Sequence, residues 1–248
     1  MQEWITGRNP VFEALRANRR HFFRLLIASG VEEKGRLLEI IQLAGKRRLM
    51  VERAPRQHLD KLDENHQGVA LQASMYPYST LPDILELAKQ RGEPPFILVL
   101  DTLQNPQNLG SLMRTAEAVG VHGVIMPLAH AAGVTPAVVH ASAGASEHLL
   151  AAQMNLSQAI TRLKEEDVWV IGLDAAPDAQ PPERVRLDGA LALVVGSEGE
   201  GMRALVRKSC DLLVSLPMRG QVDSLNAAVA GSVMLYLALQ ARLTAGRG

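Results

Sequence analysis

The sequence predicts a two-domain α/β protein whose larger, C-terminal domain is built on a mainly parallel sheet. From residue 96 onward, apolar runs rich in β-branched residues alternate with segments of helical periodicity. This alternation is typical of a parallel sheet covered by helices on both faces. The stretch 76–82 contains two prolines and interrupts the pattern. We therefore predict domains at 1–76 and 95–248, joined by a linker at 77–94.

The first domain is predicted to be a small α/β sandwich. Asn9 is a candidate N-cap, and Pro10 suits the first position of a helix at 10–17. Apolar or alternating runs predict strands at 22–29, 49–53 and 69–74. Helical spacing predicts helices at 32–45 and 55–62, the first of which ends at a glycine.

The second domain begins after a helical segment at 83–91 and the turn that follows it. Short apolar runs predict strands at 96–100, 123–126, 168–173, 191–195 and 212–216. Helical periodicity predicts helices at 109–119, 136–145, 157–166, 201–208 and 225–243, the last of them nearly all apolar.

Composition indicates a soluble intracellular protein. The 248 residues carry equal numbers of basic and acidic side chains, and 47% are hydrophobic. No apolar run reaches the roughly 18 residues of a membrane span, and the N-terminus lacks the pattern of a signal peptide. Cys210 is the single cysteine and is expected to be a small core residue. No His/Cys cluster has zinc spacing, so we expect a cytoplasmic protein with neither a metal nor a membrane partner.

Basic residues are concentrated in the first domain. Residues 1–76 hold 13 Lys and Arg against 9 Asp and Glu, a balance of +4, whereas residues 77–248 have a balance of −4. Five arginines fall within 17 residues around the first helix, with only Glu13 to oppose them: Arg8, Arg16, Arg19, Arg20 and Arg24. A solvated helix face would explain them, but their density favours contact with phosphates.

Three polar segments carry the functional signal: residues 105–115, 195–201 and 216–226. Each follows an apolar run and leads into a helical pattern, and each is rich in glycine, amides and small hydroxyls. Three such strand ends predict one ligand site at the carboxyl edge of the sheet.

The second segment, Gly196-Ser-Glu-Gly-Glu-Gly201, matches neither a P-loop nor a Rossmann fingerprint. Its two acids, Glu198 and Glu200, suit a neutral or cationic ligand better than a pyrophosphate. Taken alone, a tight strand-to-helix turn that needs positive φ explains the glycines equally well.

The flanking segments also have simpler explanations. A helix that starts near Asn108 would place Arg114 about one and a half turns further on, within reach of a phosphate. The alternative is an Asn cap followed by a solvent-facing arginine. In the third segment, Ser224 fits the N-cap of the last helix. The small residues at 227–232 would allow close helix packing, either between subunits or within one core.

Together these motifs resemble those of the SpoU (TrmH-type) branch of the SPOUT methyltransferases, which methylate RNA ribose 2′-hydroxyls with S-adenosylmethionine. The first motif matches as Asn108-Leu-Gly-x-x-x-Arg114-Thr115, and the second as residues 195–201. The third matches as Leu216-Pro217-Met218 with Ser224-Leu225-Asn226. The opening at 7–15 is similar to the L30e-like RNA-binding domain of bacterial 23S ribosomal RNA guanosine 2′-O-methyltransferases.

The resemblance implies an L30e-like domain followed by an α/β-knot catalytic domain with a trefoil knot, and a homodimer. It implies that Gly196, Leu216, Ser224 and Leu225 hold the cofactor. Asn108 and Asn226 would bond ribose or backbone, Ser224 would also order the knot loop, and Glu198 would brace the site. The charged residues Arg219 and Asp223 depart from the family's usual third loop.

For Arg114 the resemblance implies the catalytic base. A guanidinium is very hard to deprotonate, so the competing hypothesis is that Arg114 binds a phosphate and orients the hydroxyl. The leading substrate is a guanosine of 23S ribosomal RNA. A transfer RNA substrate, or a non-catalytic RNA-binding protein on the same fold, are the alternatives.

Overall fold

The computed structural model describes residues 1–129, 132–197, 199–222 and 224–246. The strands are β1 Gln2–Thr6, β2 Phe22–Ala28, β3 Met50–Ala54, β4 Val69–Ser74, β5 Phe96–Leu100, β6 Gly123–Met126, β7 Leu150–Gln153, β8 Trp169–Leu173, β9 Leu191–Val195 and β10 Leu212–Val214. The helices are α1 Arg8–Ala17, α2 Arg36–Lys46, α3 Arg56–Asp60, α4 Leu81–Arg91, α5 Pro106–Ala118, α6 Pro136–Ala141, α7 Leu156–Glu165, α8 Ala204–Ser209 and α9 Ala227–Ala245. Short 3-10 helices occupy Ala145–His148 and Pro182–Arg184.

The chain forms two compact units, each with its own sheet. The first comprises Met1–Pro77 and Gly133–His148, the second Tyr78–Ala132 and Leu149–Gly248. The first unit has a mixed four-stranded sheet in the order β1-β4-β2-β3. The second has a parallel six-stranded sheet in the order β10-β8-β9-β5-β6-β7. The α/β class and the parallel sheet predicted from the sequence are confirmed.

The central strands of the second unit are buried along their whole length. Every residue of β5 and β9 is buried, as expected for parallel strands covered on both faces. Residues of α4, α7 and α8 pack on one face in a single apolar cluster. On α9, a Cβ at Gly231 would lie 3.0 Å from Leu112 of α5 and 3.2 Å from Val195. Gly231 therefore serves close packing of α9 within the chain.

Several local predictions were wrong. Strands β1 and β7 were not predicted; β7 has the sequence Leu-Ala-Ala-Gln, which has little β-propensity. Asn9 is not the N-cap of α1: the helix starts at Arg8 and its N-cap is Gly7, with φ 87°. The chain turns directly from β1 into α1, and glycine adopts this positive φ without strain.

A segment from the second half of the sequence completes the first unit. Residues 133–148 belong to this unit, which the predicted limit at residue 76 did not anticipate. Glu147 is buried and accepts from Arg20 Nη2 at 2.7 Å and from Arg20 Nε at 2.8 Å. Burial alone would lower the pKa of Arg20, but its hydrogen bonds and charge attraction to Glu147 and Glu3 outweigh burial and raise it. Removing one partner of a buried ion pair of this kind strongly destabilises the folded protein.

Among the described residues, one helix is long and apolar enough to cross a membrane by length and composition alone. This helix is α9, with 19 residues and mean hydropathy 1.3. Its buried residues Ala228, Gly231, Met234, Leu235 and Ala238 belong to the packing of the second unit. A core helix of a soluble domain passes the same test.

Candidate active site at the carboxyl edge of the parallel sheet

A cavity of about 510 Å³ opens where β8, β9 and β10 end. Its wall is formed by the residues after β8, by the loop after β9 and by the segment between β10 and α9. These three strands are neighbours and parallel, so their carboxyl ends meet at one edge of the sheet. Ligands of open α/β sheets bind at this edge.

The loop after β9 folds back tightly on itself. Ser197 and Gly201 exchange backbone hydrogen bonds of 3.0 and 3.1 Å, and Gly199 and Gly201 have φ of 85° and 69°. A Cβ on Gly196 would lie 2.3 Å from the carbonyl carbon of Gly201 and 2.4 Å from the nitrogen of Met202. Glycine at 196 is therefore required by close backbone approach, and at 199 and 201 by positive φ.

The third segment brings Leu216, Ser224, Leu225 and Asn226 to the wall of the same cavity. Asn226 is the N-cap of α9, and its side-chain oxygen accepts from the N–H groups of Ala228 and Val229 at 2.9 and 3.2 Å. The expectation that Ser224 is the cap was wrong. Both residues have capping side chains, but the helix starts at Ala227, which places Asn226 at the N-cap.

The first segment meets the third through two amides. Asn105, not Asn108, caps α5, because its side chain accepts from Gln107 N at 2.9 Å. Asn108 lies inside the first turns, and its Oδ1 accepts from Nδ2 of Asn226 at 3.3 Å. Further along the two helices, the hydroxyls of Thr115 and Ser232 are 2.9 Å apart. Helices α5 and α9 thus hold these amides together.

Arg114 lies away from the cavity wall. It is exposed on α5, and no salt bridge joins it to a residue in the described part of the chain. Its position about two and a half helical turns beyond Asn105 leaves the guanidinium available to a ligand outside the cavity.

Two other residues with predicted roles fall outside the described residues. These are Glu198, the predicted brace, and Asp223, one of the two unusual charges of the third loop. Arg219, the other unusual charge, is exposed and does not line the cavity.

Sequence reasoning missed the contribution of β8. Asp174 and Ala175, which follow β8, line the cavity, as does Glu200 of the second loop. Asp174 is held by Arg207, whose Nε lies 3.2 Å from Oδ2. The available signal was an aspartate directly after a predicted strand, the same signal that identified the other strand ends.

The arginines predicted to bind RNA in the first unit differ in how far their side chains are exposed. Arg20 is buried and its guanidinium bonds Glu147, Glu3 and the carbonyl of Ser74, so it is not presented to RNA. Arg19 is half-buried and donates to Tyr76 and the carbonyl of Glu147. Arg8, partly exposed, donates to the carbonyl of Gln67. Arg16 is exposed beside Glu13, 3.6 Å away.

Cys210 is a packing residue. Its thiol packs against the main apolar cluster of the second unit and lies 3.4 Å from the carbonyl of Val206. Burial raises the pKa of Cys210 to about 12. A thiol of this kind stays protonated at neutral pH and is a poor nucleophile.

Comparisons with known proteins agree with this fold. The sequence model of the SpoU rRNA Methylase family matches residues 95–236, and that for RNA 2′-O ribose methyltransferase substrate binding matches residues 4–79. A protein of Bacillus subtilis assigned to the TrmH family of tRNA/rRNA methyltransferases is 42% identical over 238 residues, which cover 94% of each chain.

Two solved structures share the fold over nearly the whole chain. The SpoU methyltransferase AviRb from Streptomyces viridochromogenes, in complex with the cofactor AdoMet, has a TM-score of 0.81 and 24% identity, with 98% of this chain and 91% of that chain covered. A structure described as an RNA 2′-O ribose methyltransferase has a TM-score of 0.78 and 25% identity, with 98% and 89% covered.

The fold and these matches define an RNA methyltransferase. The chain belongs to the SpoU rRNA methylase family. The family resemblance and the enzyme class predicted from the sequence are confirmed.

Proposed function

We propose that the enzyme transfers the methyl group of S-adenosylmethionine to the ribose 2′-hydroxyl of a guanosine in 23S ribosomal RNA. The observation that carries the proposal is the cavity at the carboxyl ends of β8, β9 and β10. It gathers the four residues predicted to hold the cofactor, Gly196, Leu216, Ser224 and Leu225, together with Asn226.

The cavity fits this cofactor in size and charge. A volume of about 510 Å³ is within the range of small-molecule sites. Glu200 and Asp174 are among the lining residues, and acidic residues suit a sulfonium cation better than a phosphate. Because Gly196 has no side chain, the backbone of Gly201 and Met202 can pack directly against it at the cavity. The bound cofactor supplies an electrophilic methyl group, and the protein residues hold and orient the two reactants.

We assign Arg114 to the substrate phosphate next to the target ribose. The side chain is exposed on α5, and a guanidinium binds phosphate bidentately. Correct placement of the hydroxyl can contribute several kcal/mol to the rate. Asn108 and Asn226, already joined to each other, would hydrogen-bond the ribose from the first and third segments.

The first unit is proposed to bind the RNA substrate. The substrate-binding match over residues 4–79 supports this role, as does the excess of basic residues in 1–76. In the α1 cluster, Arg16 has a 66% exposed side chain and Arg24 a 39% exposed one, and Arg8 is partly exposed. We propose the first unit as the substrate-binding domain and the second unit as the catalytic domain, acting in the cytoplasm. The predicted linker at 77–94 contains α4, whose residues Leu81 and Ile84 pack in the core of the second unit.

A homodimer through α9 is proposed from an exposed apolar stripe. Val229, Val233 and Tyr236 are 50%, 41% and 50% exposed and lie on one helix face at spacings of four and three residues. The opposite face of the helix is buried within the second unit. An apolar face of this kind is typical of an interaction surface, and a second copy of the chain matches the expectation from the resemblance.

Methyl transfer to separated RNA fractions tests the substrate. The enzyme is incubated with labelled S-adenosylmethionine and 23S, 16S or transfer RNA from a strain that lacks it. Label in 23S RNA supports the proposal; label in transfer RNA alone would replace it with the alternative substrate.

Arg114 is tested by Arg114→Lys and Arg114→Ala, with the rate measured against pH and RNA binding followed in parallel. The phosphate role predicts weaker RNA binding, partly restored by lysine, with an unchanged pH profile. A large loss of rate with unchanged RNA affinity and a lost limb of the pH profile would assign Arg114 as the base.

A further inference from the structure

Asp101 is a buried carboxylate directly behind the proposed cofactor loop. It follows β5, and its N–H donates to the carbonyl of Val195 at 2.8 Å, which continues the β5–β9 ladder by one residue. Its exposure is 0%, and it does not line the cavity. A buried carboxylate needs strong partners, since its transfer from water is costly.

Both oxygens of Asp101 are satisfied by one residue. Oδ2 accepts from the backbone nitrogen of Arg203 at 2.8 Å, and Oδ1 accepts from Nε of the same side chain at 2.7 Å. The Arg203 side chain is itself 49% exposed. The contact therefore fixes the backbone of Arg203 as well as its side chain.

Arg203 marks the end of the cofactor loop. The loop leaves β9 at Gly196 and closes on itself through Ser197 and Gly201. Met202 is buried in the apolar cluster, and Arg203 then precedes α8. The loop is consequently held by the sheet at Val195 and by Asp101 at Arg203.

We propose that Asp101 is a positioning residue that holds the loop 196–201 in its cofactor-binding conformation through Arg203. The inference rests on the proposed function, because it takes this cavity as the site of S-adenosylmethionine. Asp101 touches neither the cavity nor the reacting atoms, so it acts only through the position of the loop. Its role is to keep Gly196 and Gly201 closed against each other before the cofactor arrives.

Asp101→Asn tests the contact. The amide keeps the shape but accepts with one oxygen only, and its NH₂ group faces an N–H donor of Arg203. We expect the dissociation constants of S-adenosylmethionine and of S-adenosylhomocysteine, measured by calorimetry, to rise by at least about tenfold. The turnover number at saturating cofactor should change by less than about threefold, which separates loop positioning from loss of active protein.

Arg203→Ala provides a second test that does not depend on the folding of Asp101→Asn. It removes the Nε bond but leaves the backbone bond, so we expect a smaller loss of affinity. In the double variant the loss should be no greater than in Asp101→Asn alone, because both changes break one contact.

Asp211→Asn is the matched control. Asp211 also joins a backbone nitrogen, that of Val170 at 2.8 Å, to a basic side chain, Lys164 at 2.7 Å, but it lies outside the cavity wall. Its cofactor affinity should equal that of the wild type even if its melting temperature falls.

Three results would overturn the inference. One is unchanged affinity in both Asp101→Asn and Arg203→Ala. Another is an equal loss of affinity in the Asp211→Asn control. The third is loss for S-adenosylmethionine but not for S-adenosylhomocysteine, whose thioether sulfur carries no charge, which would mean that the charge of Asp101 acts directly on the sulfonium. A wild-type protein that binds neither compound would refute the proposed function.

Discussion

Gly196 is the position where a single added carbon should damage the cofactor loop most. Gly196→Ala would place a Cβ 2.3 Å from the Gly201 carbonyl carbon and 2.4 Å from the Met202 nitrogen. Carbon atoms in contact are ordinarily about 3.5–4.0 Å apart. The backbone at 201–202 must therefore move by about 1 Å or more, although it is fixed by the Ser197–Gly201 bonds and by the buried Met202.

The size of the effect follows from the cost of overpacking. Inserting a methyl group into a packed region costs about 1–3 kcal/mol. If the free loop opens to relieve the clash, it must close again when the cofactor binds. The cost of restoring the clash then reduces the binding free energy of the cofactor. Since 1.4 kcal/mol is tenfold in an equilibrium constant, affinity for S-adenosylmethionine should fall about 5- to 150-fold.

Calorimetric titration of S-adenosylmethionine measures this loss, and Gly220→Ala is its control. Gly220 lies in the third segment, but a Cβ there meets nothing within 4 Å and the residue does not line the cavity. Its affinity should stay within about twofold of the wild type. Gly196→Ala with wild-type affinity and wild-type melting temperature would refute the reasoning.

Three further predictions concern the helix cap, a buried histidine and the proposed dimer. Asn226→Ala should lower the free energy of unfolding by about 0.5–2 kcal/mol through loss of the α9 cap. Asn226→Asp should keep this stability but lose the hydrogen-bond donor to Asn108, so it should lower the methylation rate without lowering the melting temperature. Equal melting temperatures for the two variants would contradict the cap. Burial lowers the pKa of His122, whose Nδ1 accepts from a backbone N–H. The neutral ring therefore makes its full contribution to the free energy of unfolding above a pH of about 6.5. That contribution is lost as the pH falls from there towards the folded-state pKa. The free energy of unfolding, measured in urea from pH 8 to 5.5, should show this decline, and the decline should be smaller in His122→Asn. If the pH dependence of stability is the same in the variant, His122 is not the cause. In analytical ultracentrifugation, Val233→Glu should shift the protein from dimer to monomer. Leu38→Glu, at an equally exposed position in the first unit, should leave the dimer intact. A wild-type protein that sediments as a monomer would refute the proposed dimer.

The sequence predicted most of the second unit because its strands are short, apolar and regularly separated by helices. The runs at 96–100 and 191–195 coincide with β5 and β9, where burial on both faces leaves only apolar residues. Strand β7 was missed because alanine has little β-propensity and its pairing with β6 is a long-range contact. The placement of residues 133–148 in the first unit depends on long-range contacts such as Glu147 with Arg20, which local patterns do not reveal.

The candidate site was predicted at the level of segments and less well at the level of single residues. Glycines at 196, 199 and 201 signalled a tight loop, and the structure gives each a geometric reason. Cap assignments failed at Asn9 and Ser224, because several capping residues stand close together and only the helix start decides between them. Asp101 also directly follows a predicted strand, but its contact with Arg203 could not be predicted because the two residues are 102 positions apart.

The position of the transferred methyl group tests the central claim most directly. Ribosomal RNA methylated by the enzyme with labelled S-adenosylmethionine is digested to nucleosides, which are separated and identified by mass. Our account predicts a single labelled product, 2′-O-methylguanosine, from 23S RNA. A methyl group on a base, or no transfer by a protein that binds the cofactor and the RNA, would contradict it.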